Sequence, residues 1–186
     1  LGRRARPEHL LVAESELARR GVEVVRSARG GDVTWHGPGQ LVVYPIMRLD
    51  PRVRSVRCYV HDLEGVGIAL LKSYGLEGRR VRGRIGVWAQ EGPKVANGQV
   101  APDPSDPSDL TYRPGGAAKA LRKVAAIGVA VARWTAWHGM AINVGGDVSG
   151  FDGIVPCGLR DAGVTSLSRL LGREVPMDEV KRRLLD

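Results

Sequence analysis

Cysteine is scarce in this chain, with only Cys58 and Cys157 among its 186 residues. No CxxC pair occurs, and this excludes zinc ribbons, thioredoxin-type redox motifs and the disulfide frameworks of small secreted proteins. A chain that needs no disulfides is typical of a reducing compartment, so we expect a cytoplasmic location.

Long apolar runs and the common motifs for metals and phosphates are also missing. The longest charge-free apolar run, Val124–Ala132, has nine residues, whereas a transmembrane helix needs about 20. We therefore expect no membrane association. The four histidines are scattered without an HExxH spacing, so we expect no bound metal. GxxxxGK[ST] and GxGxxG are both absent, and these two phosphate-binding devices are excluded.

Positive charge is abundant, but lysine is rare. The net charge is +8, and five of the 28 basic residues are lysines. This excess predicts an acidic partner. The arginines are dispersed from Arg3 to Arg183 and the aromatic residues lie mostly in apolar segments. This distribution differs from the basic, aromatic-rich face of a nucleic-acid-binding module, so we expect no nucleic acid partner.

The periodicity predicts a single domain with mixed helices and strands, since about 100 to 200 residues is usual for one domain. We predict helices over Glu8–Arg20, from Ser55 to Gly75, from Thr165 or Ser166 to Gly172, and from about Met177 onward. Strands are predicted at Val22–Ser27, Gln40–Met47 and Ile85–Ala89, with two more within Val124–Val144 that turn near residues 134–137. The consecutive strand pair favours an α/β class domain of the α+β, mixed-sheet type.

Residues 91–117 contain five prolines and four glycines and have almost nothing apolar to bury. The composition predicts a flexible loop. A loop of this length inside a compact domain is usually a functional lid or an insertion.

The segment from Arg29 to Gln40 is the densest candidate for a binding site. Its glycines allow backbone amides to approach a ligand closely. A simple hairpin built from turn-forming residues would also explain the pattern. The crowding of Arg29, Thr34 and His36 into the same turn favours the binding site.

Two further residues are candidates for chemistry. Cys157 lies among turn-forming residues, where a nucleophilic thiol would be accessible, although an inert, half-buried thiol is the simpler explanation. A Cys58–His61 pair on one helix is the rival dyad. Lys123 begins an apolar run, where burial favours the neutral amine and makes the residue a candidate acid or base; a lysine that extends to solvent from a strand end is the alternative.

Three segments, in order along the chain, resemble the lipoate-protein ligase B family, the octanoyl-[acyl-carrier-protein]:protein octanoyltransferases. The first is Arg29-Gly-Gly-Asp-Val-Thr-Trp-His-Gly-Pro-Gly-Gln-Leu41 with Tyr44-Pro-Ile46. The second runs from Lys123-Val-Ala-Ala-Ile-Gly128 to His138-Gly-Met-Ala-Ile-Asn-Val144. The third combines Pro156-Cys-Gly158 with Val164-Thr-Ser-Leu167. The resemblance implies a catalytic domain of the biotin/lipoyl protein ligase type, with a preceding strand and helix missing upstream of Leu1.

The resemblance also implies a reaction and a site. Cys157 would take an octanoyl group from acyl carrier protein as a thioester and pass it to a lysine of a lipoyl domain, either in a 2-oxoacid dehydrogenase or in the glycine cleavage H protein. Lys123 would favour the thiolate and shuttle protons, with His36 or His138 as the alternative proton carrier. No ATP, metal or other cofactor is implied. The implied acyl pocket comprises Arg29, Gly30, Gly31, Asp32, Val33, Thr34, Trp35, His36, Ala126, Ile127, Gly128, Gly139, Met140 and Ala141.

An ATP-dependent lipoate or biotin protein ligase of the same fold is the nearest rival. Such an enzyme activates its acid as an adenylate and needs no cysteine nucleophile. The arginine-rich segment from Gly78 to Arg84 resembles a biotin-ligase loop.

Overall fold

A computed structural model describes residues 1–50, 55–91, 121–156 and 163–185. Cys157 and residues 92–117 of the predicted loop lie outside the described residues.

A mixed seven-stranded sheet forms the centre of the fold. Its strands are β1 (Gln40–Val43), β2 (Met47–Arg48), β3 (Gly78–Val81), β4 (Arg84–Gln90), β5 (Leu121–Ala132), β6 (Thr135–Asn143) and β7 (Gly163–Val164). The main order is β1-β6-β5-β4-β3, while β2 also pairs with β6 and β7 with β5. The β5–β7 pair is parallel and the other pairs are antiparallel. The predicted mixed-sheet α/β fold is confirmed.

The helices are α1 (Glu14–Arg19), α2 (Val56–Ser73), α3 (Leu167–Leu171) and α4 (Met177–Leu185), with 3-10 turns at Pro7–His9 and Ser149–Gly153. Sequence signals set the ends of α2 and α3. The Ser55 side chain accepts a hydrogen bond from the Cys58 amide at 3.1 Å, and Ser166 does the same for Arg169 at 3.3 Å. Gly172 ends α3 in the left-handed conformation, with φ 67°, where glycine has no steric cost. These predicted helix ends are confirmed.

The hairpin of β5 and β6 is the longest strand pairing, running from Ala125↔Ile142 to Ala132↔Thr135. Arg133 and Trp134 form its two-residue turn, with φ 46° and 62°. Two left-handed residues are what a type I′ turn requires, and this turn matches the twist of the strands it joins. The predicted strand pair is therefore confirmed, but its turn lies at Arg133 and Trp134 rather than near residues 134–137, because β6 already begins at Thr135.

Three predicted elements near the N-terminus differ from the structure. The helix over Glu8–Arg20 is wrong, because Leu10 bridges Ile154 and the Leu11 amide donates to the Gly153 carbonyl at 2.9 Å. The backbone at Leu10 and Leu11 is hydrogen-bonded to a segment distant in the sequence, and within the predicted range only Glu14–Arg19 is α-helical.

The predicted strand at Val22–Ser27 is also wrong, because this segment makes backbone hydrogen bonds to Leu1 and joins no sheet among the described residues. The Leu1 amine donates to the Val25 carbonyl at 2.6 Å, and the Ser27 amide donates to the Leu1 carbonyl. The predicted strand at Gln40–Met47 is instead divided, because Pro45, which has no amide hydrogen to donate, separates β1 from β2.

The main hydrophobic core joins α2, α4 and the central strands. Leu70 and Leu71 of α2 and Val180 of α4 pack with Val124 and Ile142 of the sheet, and all five are buried. A second cluster on Val33, Phe151 and Ile154 holds the N-terminal segment in place. None of the helices in the described parts of the chain is long and apolar enough to cross a membrane.

Candidate active site

A cleft of about 710 Å³ lies over the β5–β6 pair. Fourteen of the sixteen residues that we predicted for the site line it: Lys123, Arg29, Gly30, Gly31, Asp32, Val33, Thr34, His36, Ala126, Ile127, Gly128, Gly139, Met140 and Ala141. The fold therefore brings two motifs together that are about ninety residues apart in the sequence. Whether these residues bind a substrate remains a prediction.

The glycine-rich segment is held on the sheet by its backbone. The Gly30 amide donates to the Val129 carbonyl of β5 at 2.8 Å. The Asp32 carboxylate accepts from the Val33 amide at 2.8 Å and from the Arg6 amide at 3.3 Å, and lies 2.5 Å from His9 Nδ1. Asp32 thus ties the N-terminal segment to the wall of the cleft, so its contacts are those of a structural residue.

Gly139 marks a close approach of two strands at the floor of the cleft. A Cβ atom built on Gly139 would lie 2.3 Å from the Val43 carbonyl oxygen of β1 and 2.7 Å from Cδ of Pro45. Both contacts are well below van der Waals distance and one is to backbone, so a side chain at 139 would push β1 away from β6.

Lys123 is buried in the wall of the cleft, with 5% of its surface exposed. Its Nζ donates to the Ile85 carbonyl at 2.9 Å and lies 4.8 Å from the centre of the Trp88 ring. The pairing of β4 with β5 shifts at this point, from Val87↔Ala125 to Trp88↔Lys123. Such a bulge re-aims side chains, and here it sets Lys123 beside Trp88. The amine is desolvated and held by a backbone carbonyl and an aromatic face.

His138 also lines the cleft, and our predicted pocket did not include it. Its backbone has φ 59° in the middle of β6, an uncommon and strained conformation for a residue with a side chain. Burial, with a smaller contribution from the Arg29 charge, lowers the pKa of His138 below its ordinary value. The Tyr44 ring lies edge-on to the imidazole at 5.5 Å. Sequence alone offered no signal for the left-handed backbone.

Three described candidate residues, Trp35, Cys58 and His61, are not brought to the cleft. Trp35 lies against Gly150 and packs in the cluster of Val33 and Phe151, outside the residues that line the cleft, and its part in substrate binding stays a prediction. Cys58 is exposed on α2 and neither it nor His61 lines the cleft. Cys157, the predicted nucleophile, lies outside the described residues.

The cleft is positively charged. Four arginines, Arg4, Arg6, Arg29 and Arg84, line it together with Lys123, and Asp32 is the acidic residue among its described lining. The combined field of several positive charges around a concave surface attracts anionic ligands and partners. Within residues 1–50, 55–91, 121–156 and 163–185, no group of three or more His, Cys, Asp or Glu side chains is placed to hold a metal ion.

Sequence comparisons assign the chain to a family. The lipoyl protein ligase A/B catalytic domain family matches residues 1–186. An octanoyltransferase of Chloroflexus aggregans is 46% identical over 186 residues, which is 100% of this chain and 72% of the relative. An octanoyltransferase of Myxococcus xanthus is 41% identical over 184 residues, covering 99% of this chain and 45% of the relative.

Solved structures share the fold at low sequence identity. A lipoate-protein ligase A bound with ATP superposes with a TM-score of 0.62 at 13% identity, over 93% of this chain and 60% of that one. A bi-partite lipoate protein ligase of Thermoplasma acidophilum has the same TM-score at 16% identity, over 95% of this chain and 62% of that one. The chain therefore belongs to the lipoyl protein ligase A/B catalytic domain family, and within it to the octanoyltransferases, which are acyltransferase enzymes.

Proposed function

We propose that this chain moves an octanoyl group from acyl carrier protein, through a thioester on Cys157, to the side-chain amine of a lysine on a lipoyl domain. The observation that carries the proposal is the buried Lys123 ammonium in the wall of the cleft, in a chain that belongs to the octanoyltransferases. A lysine amine can act as a general acid or base, which arginine cannot do.

The acyl chain would lie in the cleft over β5 and β6. Its volume of about 710 Å³ is within the range of about 300 to 1,000 Å³ usual for small-molecule sites. Ile127, Val129, Met140 and Val42 supply apolar walls. An octanoyl chain would displace water from these side chains, and each buried methylene contributes about 0.8 kcal/mol.

The proposed first half-reaction begins from a Cys157 thiolate and a Lys123 ammonium. The thiolate attacks the carbonyl carbon of the carrier thioester, a new carbon–sulfur bond forms, and the bond to the carrier sulfur breaks. The departing carrier thiolate takes a proton from the Lys123 ammonium. The products are the octanoyl-Cys157 thioester, the carrier thiol and a neutral Lys123 amine.

The second half-reaction returns the proton. The neutral amine of the lipoyl-domain lysine attacks the thioester carbonyl, and its nitrogen loses a proton to the Lys123 amine. The bond to Cys157 sulfur breaks, which leaves an amide on the lipoyl domain and restores the thiolate and ammonium. No net oxidation or proton transfer to solvent is required.

The charge of the chain supports a carrier protein as donor. The four arginines that line the cleft and the net charge of +8 favour an acidic partner, as we propose for the carrier protein. Complementary charge speeds encounter more than it strengthens the final complex. We place the reaction in the cytoplasm, with lipoyl domains of 2-oxoacid dehydrogenases and the glycine cleavage H protein as acceptors.

Intact-mass measurement tests the proposal directly. The protein is incubated with octanoyl-acyl carrier protein without ATP, and one octanoyl group is expected on Cys157 after peptide mapping. Hydroxylamine should remove the group, because it cleaves thioesters. Cys58→Ala is the matched control and should acquire the group normally, whereas Cys157→Ala should not. An adduct on Cys58, or normal transfer by Cys157→Ala, would contradict the assignment.

The same assay distinguishes the proposed octanoyltransferase reaction from the rival ligase reaction. A ligase would leave octanoyl-acyl carrier protein unused and would modify the lipoyl domain only from free octanoate and ATP. The structural likeness to an ATP-bound ligase shows the shared fold, so this arm of the experiment decides between the two chemistries.

A further inference from the structure

The peptide group between Ile85 and Gly86 connects two charged side chains. Its carbonyl oxygen accepts a hydrogen bond from Lys123 Nζ at 2.9 Å. Its amide, which is the Gly86 N–H, donates to Glu64 Oε1 at 3.0 Å. One peptide therefore lies between an ammonium on β5 and a carboxylate on α2.

Glu64 is buried, with 8% of its surface exposed. Its second carboxylate oxygen, Oε2, lies 3.3 Å from Arg80 Nε, and Arg80 also donates to the His61 carbonyl at 3.0 Å. A buried carboxylate is costly unless it is paired and hydrogen-bonded, and these contacts supply both conditions. Glu64 is thus held in one position and can hold the peptide in turn.

Gly86 permits this arrangement. Its φ of 127° lies in a region that other residues rarely adopt. A Cβ at this position would lie 2.6 Å from the Ala125 carbonyl oxygen and 3.2 Å from Cε of Lys123. The peptide can therefore face both partners only while residue 86 has no side chain.

Hydrogen bonds in a chain polarise one another, and bonds to charged groups are the stronger ones. A carboxylate on the amide side makes the Ile85 carbonyl oxygen a better acceptor for the Lys123 ammonium. We propose that Glu64 is a positioning residue, which fixes the Lys123 ammonium in the cleft through the Ile85–Gly86 peptide. The kinetic consequence rests on the proposed function of Lys123, whereas the contact network itself does not.

Glu64→Gln tests the charge while keeping the shape. Glutamine retains an acceptor oxygen for the Gly86 amide, and it removes the charge on that bond together with the ion pair to Arg80. We expect kcat for octanoyl transfer to fall about fivefold, the usual difference between a charged and a neutral hydrogen bond, with KM for the carrier substrate unchanged. In the Lys123→Met background the same substitution should have no further effect, because residues that act through one another are not additive.

Amide NMR gives a readout that does not depend on activity. The Gly86 amide proton should move upfield in Glu64→Gln, and also in Lys123→Met, whose change lies on the other side of the peptide. The shift caused by Lys123→Met should be smaller in the Glu64→Gln background, because the two side chains polarise the same peptide; a purely structural Glu64 would leave that shift unchanged. Glu179→Gln is the matched control, since Glu179 is likewise a carboxylate in ion pairs with arginine, here Arg173 and Arg183. This control should leave both kcat and the Gly86 signal unchanged.

The outcomes separate the inference from the proposed function. Normal turnover by Lys123→Met would refute the catalytic role of Lys123. The chemical shift of the Gly86 amide would still test the contacts that join Lys123 and Glu64 through the Ile85–Gly86 peptide. An unchanged Gly86 signal in Lys123→Met, or an additive loss in the double variant, would overturn the positioning role of Glu64. If Glu64→Gln fails to fold, the Gly86 signal in Lys123→Met remains the deciding measurement.

Discussion

Replacing Lys123 with methionine should slow the reaction by at least about a hundredfold and leave the fold intact. Methionine keeps the unbranched shape of the side chain and removes the charge. The Ile85 carbonyl loses its 2.9 Å hydrogen bond from Nζ, at a cost of about 1 to 3 kcal/mol. The contact 4.8 Å from the Trp88 ring contributes about 1 to 2 kcal/mol when desolvated.

These losses are offset, because the folded state no longer buries an ammonium that is only 5% exposed. Burial of an ion costs several kcal/mol even after the surrounding protein relaxes. We therefore expect the free energy of unfolding of Lys123→Met to lie within about 2 kcal/mol of the parent value. A urea titration followed by tryptophan fluorescence measures this difference.

Octanoyl transfer by Lys123→Met should fall by at least about a hundredfold, the lower end of what a positioned acid or base contributes. The assay follows octanoylation of a lipoyl domain by mass spectrometry. Lys181→Met is the control, because Lys181 makes an exposed ion pair with Asp178 at 2.9 Å and such pairs contribute little. A Lys123→Met protein that is folded and turns over normally would refute the reasoning.

Lys123→Arg separates proton transfer from electrostatics. If the side chain supplies only positive charge, arginine should retain much of the activity. If it must release and recover a proton, arginine should fail, because its pKa exceeds about 12. We expect a loss of at least about a hundredfold, and near-normal turnover would leave His36 or His138 as the proton carrier.

Three further predictions concern stability and docking. Burial and the Arg29 charge lower the pKa of His138 below its ordinary 6.5, so the unfolded state binds this proton more tightly. The free energy of unfolding should therefore fall as the pH drops below about 6.5. In a series of urea titrations at different pH values, His138→Gln should reduce this dependence on pH. Gly139→Ala should lower the melting temperature in calorimetry, because its Cβ would lie 2.3 Å from the Val43 carbonyl oxygen; an unchanged melting temperature would contradict the close approach. The kcat/KM for octanoyl-acyl carrier protein should fall with added salt, since charges are screened beyond about 10 Å at 0.1 M, and a flat profile would exclude charge from docking.

Local signals predicted the elements whose ends depend on nearby residues. Ser55 and Ser166 cap α2 and α3 with their own side chains, and Gly172 ends α3 in the left-handed conformation. The β5–β6 strand pair follows from its long apolar run. Contacts within a few residues decide all of these features, so a single sequence contains them.

The N-terminal errors arose where distant partners decide the backbone. Leu10 bridges Ile154 rather than extending a helix, and the Leu1 amine bonds to Val25 where we predicted a strand. These bonds connect segments far apart in the chain, and no local periodicity records them.

For the site, the sequence by itself singled out the glycine-rich segment from Arg29 and the isolated Lys123 as candidates, because both are unusual in composition and setting. Only the tertiary structure decided their neighbours. It placed Trp35 in a side cluster, set His138 in the cleft and put the Ile85–Gly86 peptide between Lys123 and Glu64. The physical reason is that burial and hydrogen-bond partners depend on strand pairing and helix packing, which bring residues together across tens of positions of chain.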